Sequence, residues 1–358
     1  MKLVTYVHRH GHPYPFPHPE GRAGILLNDL VLDLATLIRW DARTAAAIPP
    51  AGDERGVPIT MLDLLRLGPD ALQEVQGAYE VAARRPVEEV RAEPGLAHAR
   101  GEVTLRTPVP DPPTIRDFYA FEQHVKAARA LRGAGMIPEW YEIPVFYFSN
   151  TAALFGTDEA VLYPTASAEL DFELEMACVI GREGSDISAD EAPDYIAGYM
   201  VMNDWSARDL QRAEMKMNLG PAKGKDFATS LGPWLVTPDE LADRRIGSGK
   251  DERYDLAMTG RINGDQLTSD NARTVYFTFP QMIERASQHV RLRPGDIIGS
   301  GTCGTGCILE LGTERHRWLQ PGDVVELAID RLGVLRNTIV SGEEDQRSAV
   351  PPSRSEER

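Results

Sequence analysis

Apolar and polar positions along the first hundred residues predict a small β unit followed by a helix. Residues 2–7 are typical of a strand, and residues 24–27 and 30–32 flank Asn28-Asp29 as the arms of a hairpin with a two-residue turn. Apolar residues at helical spacing after Pro69-Asp70 predict a helix. We therefore expect a small N-terminal β domain with a helical segment over residues 1–107.

A cluster of prolines separates this unit from a longer region rich in strands. Four prolines within residues 108–113 exclude a helix interior or a central strand, so we place a domain boundary there. Beyond it, strand-like runs lie at 175–180, 275–279 and 308–311, and helical patterns lie at 121–131 and 281–289. The fold class is predicted to be α+β and β-rich, with a larger domain over 108–341 and a polar, disordered tail over 342–358.

Composition and charge narrow the class of protein. The 358 residues are 42% hydrophobic and 26% charged, which is the composition of an ordinary globular protein. The net charge of −16 arises from 54 acidic and 38 basic residues, and it argues against nucleic acid or a membrane surface as a partner. The three cysteines, and the lack of a signal-peptide pattern or a run of ~20 apolar residues, lead us to expect a cytoplasmic protein.

Four acidic residues lie where an apolar core is expected. Glu173 and Glu175 would project from one face of a strand about 7 Å apart, which alone is more often a solvated edge. Asp117 lies in an apolar-aromatic run and Asp204 in a similar setting, so the four carboxylates need compensation. Oxygen ligands suit Mg²⁺ or Ca²⁺, and Mn²⁺ also accepts them. The absence of Cys-x-x-Cys, and of His-x-x-x-His anywhere but His8-Arg9-His10-Gly11-His12, argues against structural zinc at these carboxylates.

Several motifs, in the same order along the chain, resemble the fumarylacetoacetate hydrolase family. They are Asp117-Phe118-Tyr119 with Gln123-His124, Leu170-Asp171-x-Glu173-Leu174-Glu175-Met176, Asn203-Asp204-Trp205-Ser206-Ala207-Arg208-Asp209-x-Gln211, Gly224-Lys225-x-Phe227 and Gly299-Ser300-Gly301-Thr302. The resemblance spans residues 117–327. The N-terminal hundred residues are similar only in that they are expected to form a small β domain. It implies a mixed β-sandwich or roll catalytic domain, a small SH3-like N-terminal domain, a homodimer and no organic cofactor.

The same resemblance implies a reaction and a set of site residues. The reaction is the metal-dependent hydrolysis of a carbon–carbon bond in a small acidic β-diketone, such as fumarylacetoacetate or a related acylpyruvate. The positions implied are Asp117, Glu173, Glu175 and Asp204 for the cation, His124 as general base with Glu310 orienting it, Arg208, Gln211 and Lys225 as oxyanion donors, and Tyr119, Arg132, Tyr147 and Thr302 as substrate contacts. Arg129 competes with Arg132 for the grip on a substrate carboxylate.

Other interpretations stay open at this point. An isomerase, decarboxylase or lyase acting on a 2-keto acid could use the same site, although the presence of both His124 and Glu310 disfavours it. A metal-binding protein without catalysis is a third hypothesis, and nothing in the sequence favours it. Taken alone, His124 is more often a structural histidine, and Arg208 could simply pair with a neighbouring aspartate on its helix.

Four further features are assigned no function. The glycine-rich 299–304 fits a dinucleotide pattern, but the strand-like 308–311 follows it instead of a helix. Residues 220–226 resemble a phosphate loop that is one residue short. The histidines His8, His10, His12 and His18 lie among prolines and predict a surface loop. Cys303 and Cys307 have no partner that would indicate nucleophilic catalysis.

Overall fold

A computed structural model describes residues 1–9, 21–40 and 58–342. The strands are β1 (Lys2–His8), β2 (Arg22–Leu27), β3 (Leu30–Asp33), β4 (Ala97–Ala99), β5 (Val103–Leu105), β6 (Ile115–Phe118), β7 (Phe146–Ser149), β8 (Leu154–Phe155), β9 (Ala160–Leu162), β10 (Leu170–Asp171), β11 (Leu174–Ile180), β12 (Ile196–Asp204), β13 (Ser206–Ala207), β14 (Thr229–Val236), β15 (Arg245–Ile246), β16 (Arg253–Tyr254), β17 (Ala257–Ile262), β18 (Asp265–Asn271), β19 (Ile297–Gly299), β20 (Val324–Ile329) and β21 (Gly333–Val340). The helices are α1 (Leu34–Trp40), α2 (Met61–Leu67), α3 (Pro69–Ala83), α4 (Val87–Ala92), α5 (Glu122–Ala130), α6 (Arg208–Met215), α7 (Phe279–Ser287) and α8 (Ile308–Leu311).

One large mixed sheet runs through the molecule. Its strand order is β4-β3-β2-β1-β14-β12-β11-β19-β6-β7, with β5 paired to β1 and β8 paired to β14. A second sheet has the order β18-β17-β20-β21-β9, and β10-β13 and β15-β16 form two-stranded pairs. The predicted α+β, β-rich fold class is confirmed by this architecture.

The central strands of the large sheet are buried on both faces. Every residue of β11 and β12 is buried, so these strands show no alternation between apolar and polar positions. Met176 and Cys178 pack in one apolar cluster with residues of β17, β20 and β21. Ala177 and Val179, which point to the opposite face, pack with β1 and the helices α1 to α3. The large sheet is therefore the middle layer between the smaller sheet and these helices.

The N-terminal strands are part of this middle layer. Strand β1 pairs antiparallel with β14, with Leu3 opposite Leu235, and both side chains are fully buried in the same cluster. The predicted hairpin is confirmed as β2 and β3, and Asn28 in its turn has a positive φ of 54°. The large sheet thus continues past the predicted boundary at 107/108, and the division into domains stays a prediction.

Two predicted strands are wrong. Residues 275–279 form no strand, because the Thr278 hydroxyl accepts a hydrogen bond from the Gln281 amide and starts α7 at Phe279, with Pro280 in the first turn. Residues 308–311 form the single-turn helix α8, whose first two amides donate to the Asp171 carboxylate at 2.8 and 3.0 Å. The Asp171 carboxylate therefore occupies the helix N-terminus where a dinucleotide phosphate would bind. The dinucleotide interpretation is still rejected, but for this reason and not because a strand follows the glycines.

Some predictions concern residues outside the described ranges. They include the surface loop at His10, His12 and His18 and nearly all of the predicted disordered tail. The loop prediction is wrong for His8, which is the last residue of β1. Within the described ranges, none of the helices combines the length and the apolar character needed to cross a membrane.

We expect Leu3→Ala to destabilise the whole molecule, because the Leu3 side chain is completely buried in a core that the N-terminal strand shares with β11, β12 and β14. The free energy of unfolding should fall by ~2–5 kcal/mol, as measured by chemical denaturation. Circular dichroism and tryptophan fluorescence should still report one shared transition. Leu219→Ala, at a side chain that is 85% exposed, is the control and should change the value by less than ~0.5 kcal/mol. Two separate transitions in Leu3→Ala would contradict a shared core.

Candidate active site

Three carboxylates converge on one buried point at the end of the large sheet. Asp117 comes from β6, Glu175 from β11 and Asp204 from the last position of β12, and one oxygen of each lies within 4.8 Å of the others. All three residues are at most 3% exposed. The pKa of each of these carboxyl groups is raised, mainly by burial and in addition by the neighbouring negative charges. Such a group is stable only if something positive lies between its members.

The glycine-rich turn after β19 makes this convergence geometrically feasible. Gly299 lies opposite Asp117 in the parallel pair of β19 and β6, and a Cβ there would come within 2.6 Å of an Asp117 carboxylate oxygen. Gly301 has a φ of 77°, and its amide donates to both Asp117 (3.2 Å) and Glu175 (3.1 Å). The motif that resembles a dinucleotide fingerprint therefore supports the acidic cluster.

The donor set fits a divalent cation. Glu175 Oε1 and Asp204 Oδ1 are buried oxygens that have no hydrogen-bond partner among the described residues. Buried carboxylate oxygens normally accept hydrogen bonds or contact a cation. Two such oxygens without a partner are therefore free to bind a cation. An all-oxygen set of this kind matches Mg²⁺, Ca²⁺ or Mn²⁺ better than zinc.

Glu173 lies beside this trio but contacts two cations instead. Its carboxylate accepts hydrogen bonds from Arg208 Nη2 at 2.7 Å and from Lys225 Nζ. Burial alone would raise the pKa of Glu173, but the charges of Lys225 and Arg208 outweigh it and lower the pKa. Its assignment as a fourth metal ligand stays a prediction.

Arg208 and Lys225 balance part of the buried negative charge. Arg208 is the first residue of α6, and its guanidinium also donates to Asp171 (2.8 Å) and to the Gln211 side chain (3.1 Å). Lys225 Nζ bridges Glu173 and Asp204. Burial opposes both charges, but the surrounding carboxylates raise the pKa of both side chains, so they stay cationic. Arg208 therefore pairs with Asp171 and Glu173, not with its helix neighbour.

His124 and Glu310 form a hydrogen-bonded pair close to this cluster. His124 Nδ1, on α5, is hydrogen-bonded to Glu310 Oε1, on α8, and both side chains are almost fully buried. The second Glu310 oxygen accepts from the Thr305 amide at 2.9 Å, which fixes the carboxylate. The bond at Nδ1 leaves Nε2 as the ring nitrogen for chemistry. The ring also makes an edge contact with Tyr119, with centroids 5.5 Å apart.

One cavity of about 270 Å³ brings the predicted residues together. Eleven of the thirteen predicted site residues line it, namely Asp117, Tyr119, His124, Arg132, Tyr147, Glu173, Glu175, Arg208, Gln211, Lys225 and Thr302. The other two are hydrogen-bonded to lining residues: Glu310 to His124, and Asp204 to Tyr147 and Lys225.

The substrate-contact candidates have distinct surroundings. The Tyr147 hydroxyl donates to Asp204 at 2.5 Å, and burial raises the pKa of Tyr119 to about 12, so both phenols stay protonated. Arg132 lines the cavity, whereas the Arg129 side chain donates to the Gly135 carbonyl. This arrangement favours Arg132 over Arg129 for contact with a bound anion.

Asp171 is a residue whose importance the sequence did not reveal. It is completely buried and holds both the Arg208 guanidinium and the first two amides of α8, the helix that carries Glu310. Its carboxylate thereby connects Arg208 to the helix that carries Glu310. Its place in the Leu170-Asp171-x-Glu173 motif was the available signal, but the missed helix α8 hid the second contact.

The sequence matches the model of a known family. A model described as fumarylacetoacetate (FAA) hydrolase C-terminal matches residues 114–340. The chain belongs to the fumarylacetoacetate hydrolase family, whose members named below include hydrolases and a tautomerase.

Curated relatives differ in activity. The chain is 34% identical over 197 residues to 2,4-didehydro-3-deoxy-L-rhamnonate hydrolase of Sphingomonas sp. (strain SKA58), covering 55% of this chain and 65% of the relative. It is 31% identical over 241 residues to fumarylacetoacetase of Arabidopsis thaliana, covering 54% of this chain and 57% of the relative. It is 31% identical over 293 residues to oxaloacetate tautomerase Fahd2a, mitochondrial, of Rattus norvegicus, covering 79% and 80%. The chain thus spans less than two thirds of the first two relatives.

Solved structures confirm the fold of this family. Maleylpyruvate hydrolase from Sphingobium sp. SYK-6 in complex with manganese (II) ion and pyruvate has a TM-score of 0.64 at 24% identity, covering 96% of this chain and 100% of that one. Fumarylacetoacetate hydrolase from Exiguobacterium antarcticum has a TM-score of 0.65 at 19% identity, covering 95% and 100%. The SH3-like character predicted for the N-terminal part is not confirmed.

We expect Mg²⁺ or Mn²⁺ to raise the thermal unfolding midpoint, because a cation would satisfy the two unpartnered oxygens of Glu175 and Asp204. A free cation concentration of ~100 times Kd adds ~2.7 kcal/mol to the free energy of unfolding. Differential scanning calorimetry should show this shift in the wild type and in the control Glu88→Gln, at an exposed carboxylate. Glu175→Gln should abolish the shift, and a full shift in that variant would place the cation elsewhere.

Proposed function

We propose that the chain is a metal-dependent hydrolase of the carbon–carbon bond in a small acidic β-diketone, either fumarylacetoacetate or a related acylpyruvate. The observation that carries the proposal is that His124, paired with Glu310, lines the same cavity as Asp117 and Glu175 of the acidic trio. A water-activating pair and an oxygen-ligand cation site in the same cavity are the two components that this reaction needs.

For an acylpyruvate R–CO–CH₂–CO–COO⁻ the reaction consumes one water. The water oxygen forms a bond to the acyl carbon, and the bond from that carbon to the CH₂ group breaks. The CH₂ group takes a proton, so the products are R–COO⁻, pyruvate and one released proton. No oxidant or reductant is required.

His124 and Glu310 activate the water in this proposal. His124 Nε2 takes the proton as the water attacks, and the resulting imidazolium is stabilised by Glu310 at Nδ1. The Thr305 amide holds Glu310 in place. The protonated ring can then return its proton to the carbon that leaves.

Arg208, Gln211 and Lys225 provide the donors for the negative charge that develops on the acyl oxygen. Arg208 and Lys225 are both buried, and both keep their positive charge. They are therefore in position before the reaction, and no water has to reorient when negative charge develops on the acyl oxygen. Asp171 and Glu173 hold the Arg208 guanidinium in one orientation. Removing one such donor typically costs ~3 kcal/mol of transition-state stabilisation.

The cation site complements these donors. Asp117, Glu175 and Asp204 would hold the ion, with Glu173 as the fourth carboxylate proposed from the sequence. Bound there, Mg²⁺, Ca²⁺ or Mn²⁺ supplies Lewis-acid stabilisation of negative charge on the diketone oxygens. The fold shared with a maleylpyruvate hydrolase solved with manganese (II) and pyruvate supports this choice. A cytoplasmic location and a homodimer accompany this proposal as expectations from the sequence.

A 2-keto acid tautomerase is the second candidate function. The long match to the rat oxaloacetate tautomerase favours it, since that match covers 79% of this chain. The same cation site would hold the keto acid, and a proton would move without attack by water. The His124–Glu310 pair favours hydrolysis instead, because it can activate water.

The decisive experiment follows the loss of β-diketone ultraviolet absorbance for fumarylacetoacetate, fumarylpyruvate and acetylpyruvate, with Mg²⁺ or with a chelator. We expect cleavage to require the cation and to fall at least ~100-fold in His124→Ala, which removes the base. Oxaloacetate tautomerisation is measured alongside. Tautomerisation without cleavage of any diketone would refute the hydrolase and support the second candidate.

We expect Asp171→Asn to lower kcat for diketone cleavage ~10- to 100-fold, because it weakens charged hydrogen bonds worth ~1.5–3 kcal/mol each that orient Arg208. KM should change little, since Asp171 does not line the cavity. Asp209→Asn is the matched control. Asp209 follows Arg208 in α6, but its carboxylate accepts hydrogen bonds from the Ser167 hydroxyl and the Ala168 amide and does not contact the Arg208 guanidinium. Equal losses in the two variants would mean that Asp171 has only a general structural role.

A further inference from the structure

A second cavity adjoins the catalytic one. Its volume is about 600 Å³, compared with about 270 Å³ for the catalytic cavity. The two share a wall formed by Ala128, Arg132, Arg208, Gln211, Met215 and Leu309. Ligand pockets usually measure ~300–1,000 Å³, so the catalytic cavity alone is small, and the two together suit a considerably larger molecule.

The second cavity has a positive lining. Arg132, Arg212 and Lys216 line it, and none of the described residues that line it is acidic. Arg212 is held by two hydrogen bonds to Glu169, at 2.7 and 2.8 Å, which neutralise much of its charge. The Arg132 and Lys216 side chains form no hydrogen bond or ion pair with a described residue. In a chain with a net charge of −16, two such cations at one cavity favour an anionic occupant.

The same cavity also has an apolar wall. Leu131, Met215, Ile308, Leu309 and Trp318 contribute to it. Leu131 is 59% exposed and Met215 is 40% exposed, so both present apolar surface that a bound molecule would cover. The occupant that fits both features has an apolar body and a terminal negative charge.

The position of the reacting groups gives the occupant a direction. Asp117, Glu175 and His124 line the smaller cavity and not the larger one, so the diketone lies in the smaller cavity in the proposed function. Arg208 and Gln211, the proposed oxyanion donors, are in the shared wall. The acyl oxygen therefore lies at the passage between the cavities, and the rest of the acyl group continues into the larger one.

We infer that the second cavity binds the distal part of the substrate, and that the substrate is an acylpyruvate whose acyl group is a long apolar chain or ring ending in a carboxylate. The inference rests on the proposed function and names the substrate class of that site. Arg132 and Lys216 bind the terminal carboxylate, and Leu131 covers the apolar body.

Three acylpyruvates with the same diketone separate the contributions of length and charge. They are acetylpyruvate, hexanoylpyruvate and 5-carboxypentanoylpyruvate, the last two being equal in length and differing in a terminal methyl or carboxylate. We expect kcat/KM to rise at least ~10-fold from acetylpyruvate to hexanoylpyruvate, through apolar burial. It should rise at least ~10-fold again for the carboxylated substrate, through the cations.

Two variants at exposed positions test the lining residues. Lys216→Glu should lower the ratio of kcat/KM for the carboxylated over the hexanoyl substrate ~10-fold. Leu131→Asp should lower the ratio for hexanoylpyruvate over acetylpyruvate by a similar factor, ~10-fold. Lys250→Glu makes the same change in charge at an exposed lysine that lines neither cavity, and it should leave all three values unchanged.

The outcomes distinguish this inference from the proposed function. Cleavage of all three substrates with equal kcat/KM, or ratios that Lys216→Glu and Leu131→Asp leave unaltered, would overturn the inference alone. Failure to cleave any of the three would overturn the proposed function and the inference with it. Isothermal titration with adipate and with hexanoate supplies a readout independent of turnover: adipate should bind more tightly, and Lys216→Glu should remove the difference.

Discussion

The burial of five carboxylates around one cavity is the constraint on which the rest of the structure depends. Asp117, Asp171, Glu173, Glu175 and Asp204 are all at most 6% exposed, and the buried cations that hydrogen-bond to them among the described residues are Arg208 and Lys225. The formal excess of negative charge is concentrated at the trio that has two unpartnered oxygens. Raised pKa values or a bound cation can each offset the buried negative charge, and the cation of the proposed function would link the electrostatics of this cluster to its chemistry.

The middle sheet supplies the rigidity that this cluster requires. Strands β11 and β12 are buried along their whole length, so Glu175 and Asp204 lie on backbone that is packed on both faces. The N-terminal strands extend the same sheet through the pairing of β1 with β14. The N-terminal region therefore stabilises the catalytic region directly, and no flexible connection separates the two in the described residues.

The sequence predicted much of this because its signals were local or came in ordered motifs. The hairpin at Asn28-Asp29, the helix after Pro69 and the carboxylates at two-residue spacing needed only neighbouring residues. Helix α8 was missed because its apolar sequence resembles a strand, and its helical form depends on Asp171, which is 137 residues away. The positive second cavity was also missed, since Arg132, Arg212 and Trp318 meet only in the folded chain. The contacts of Glu173 with Arg208 and Lys225 could not be predicted either, because they form only in the folded chain.

The site's construction from distant parts of the chain has a consequence for biosynthesis. Asp117 and Glu310 lie at opposite ends of the catalytic region, and β6 joins the sheet only through β19, which follows it by almost two hundred residues. Non-local pairing of this kind is slow to form and comes late in folding. A chain still emerging from the ribosome therefore has no complete cation site. Binding of the proposed cation would therefore follow the completion of the fold, and it would stabilise a structure that has already formed.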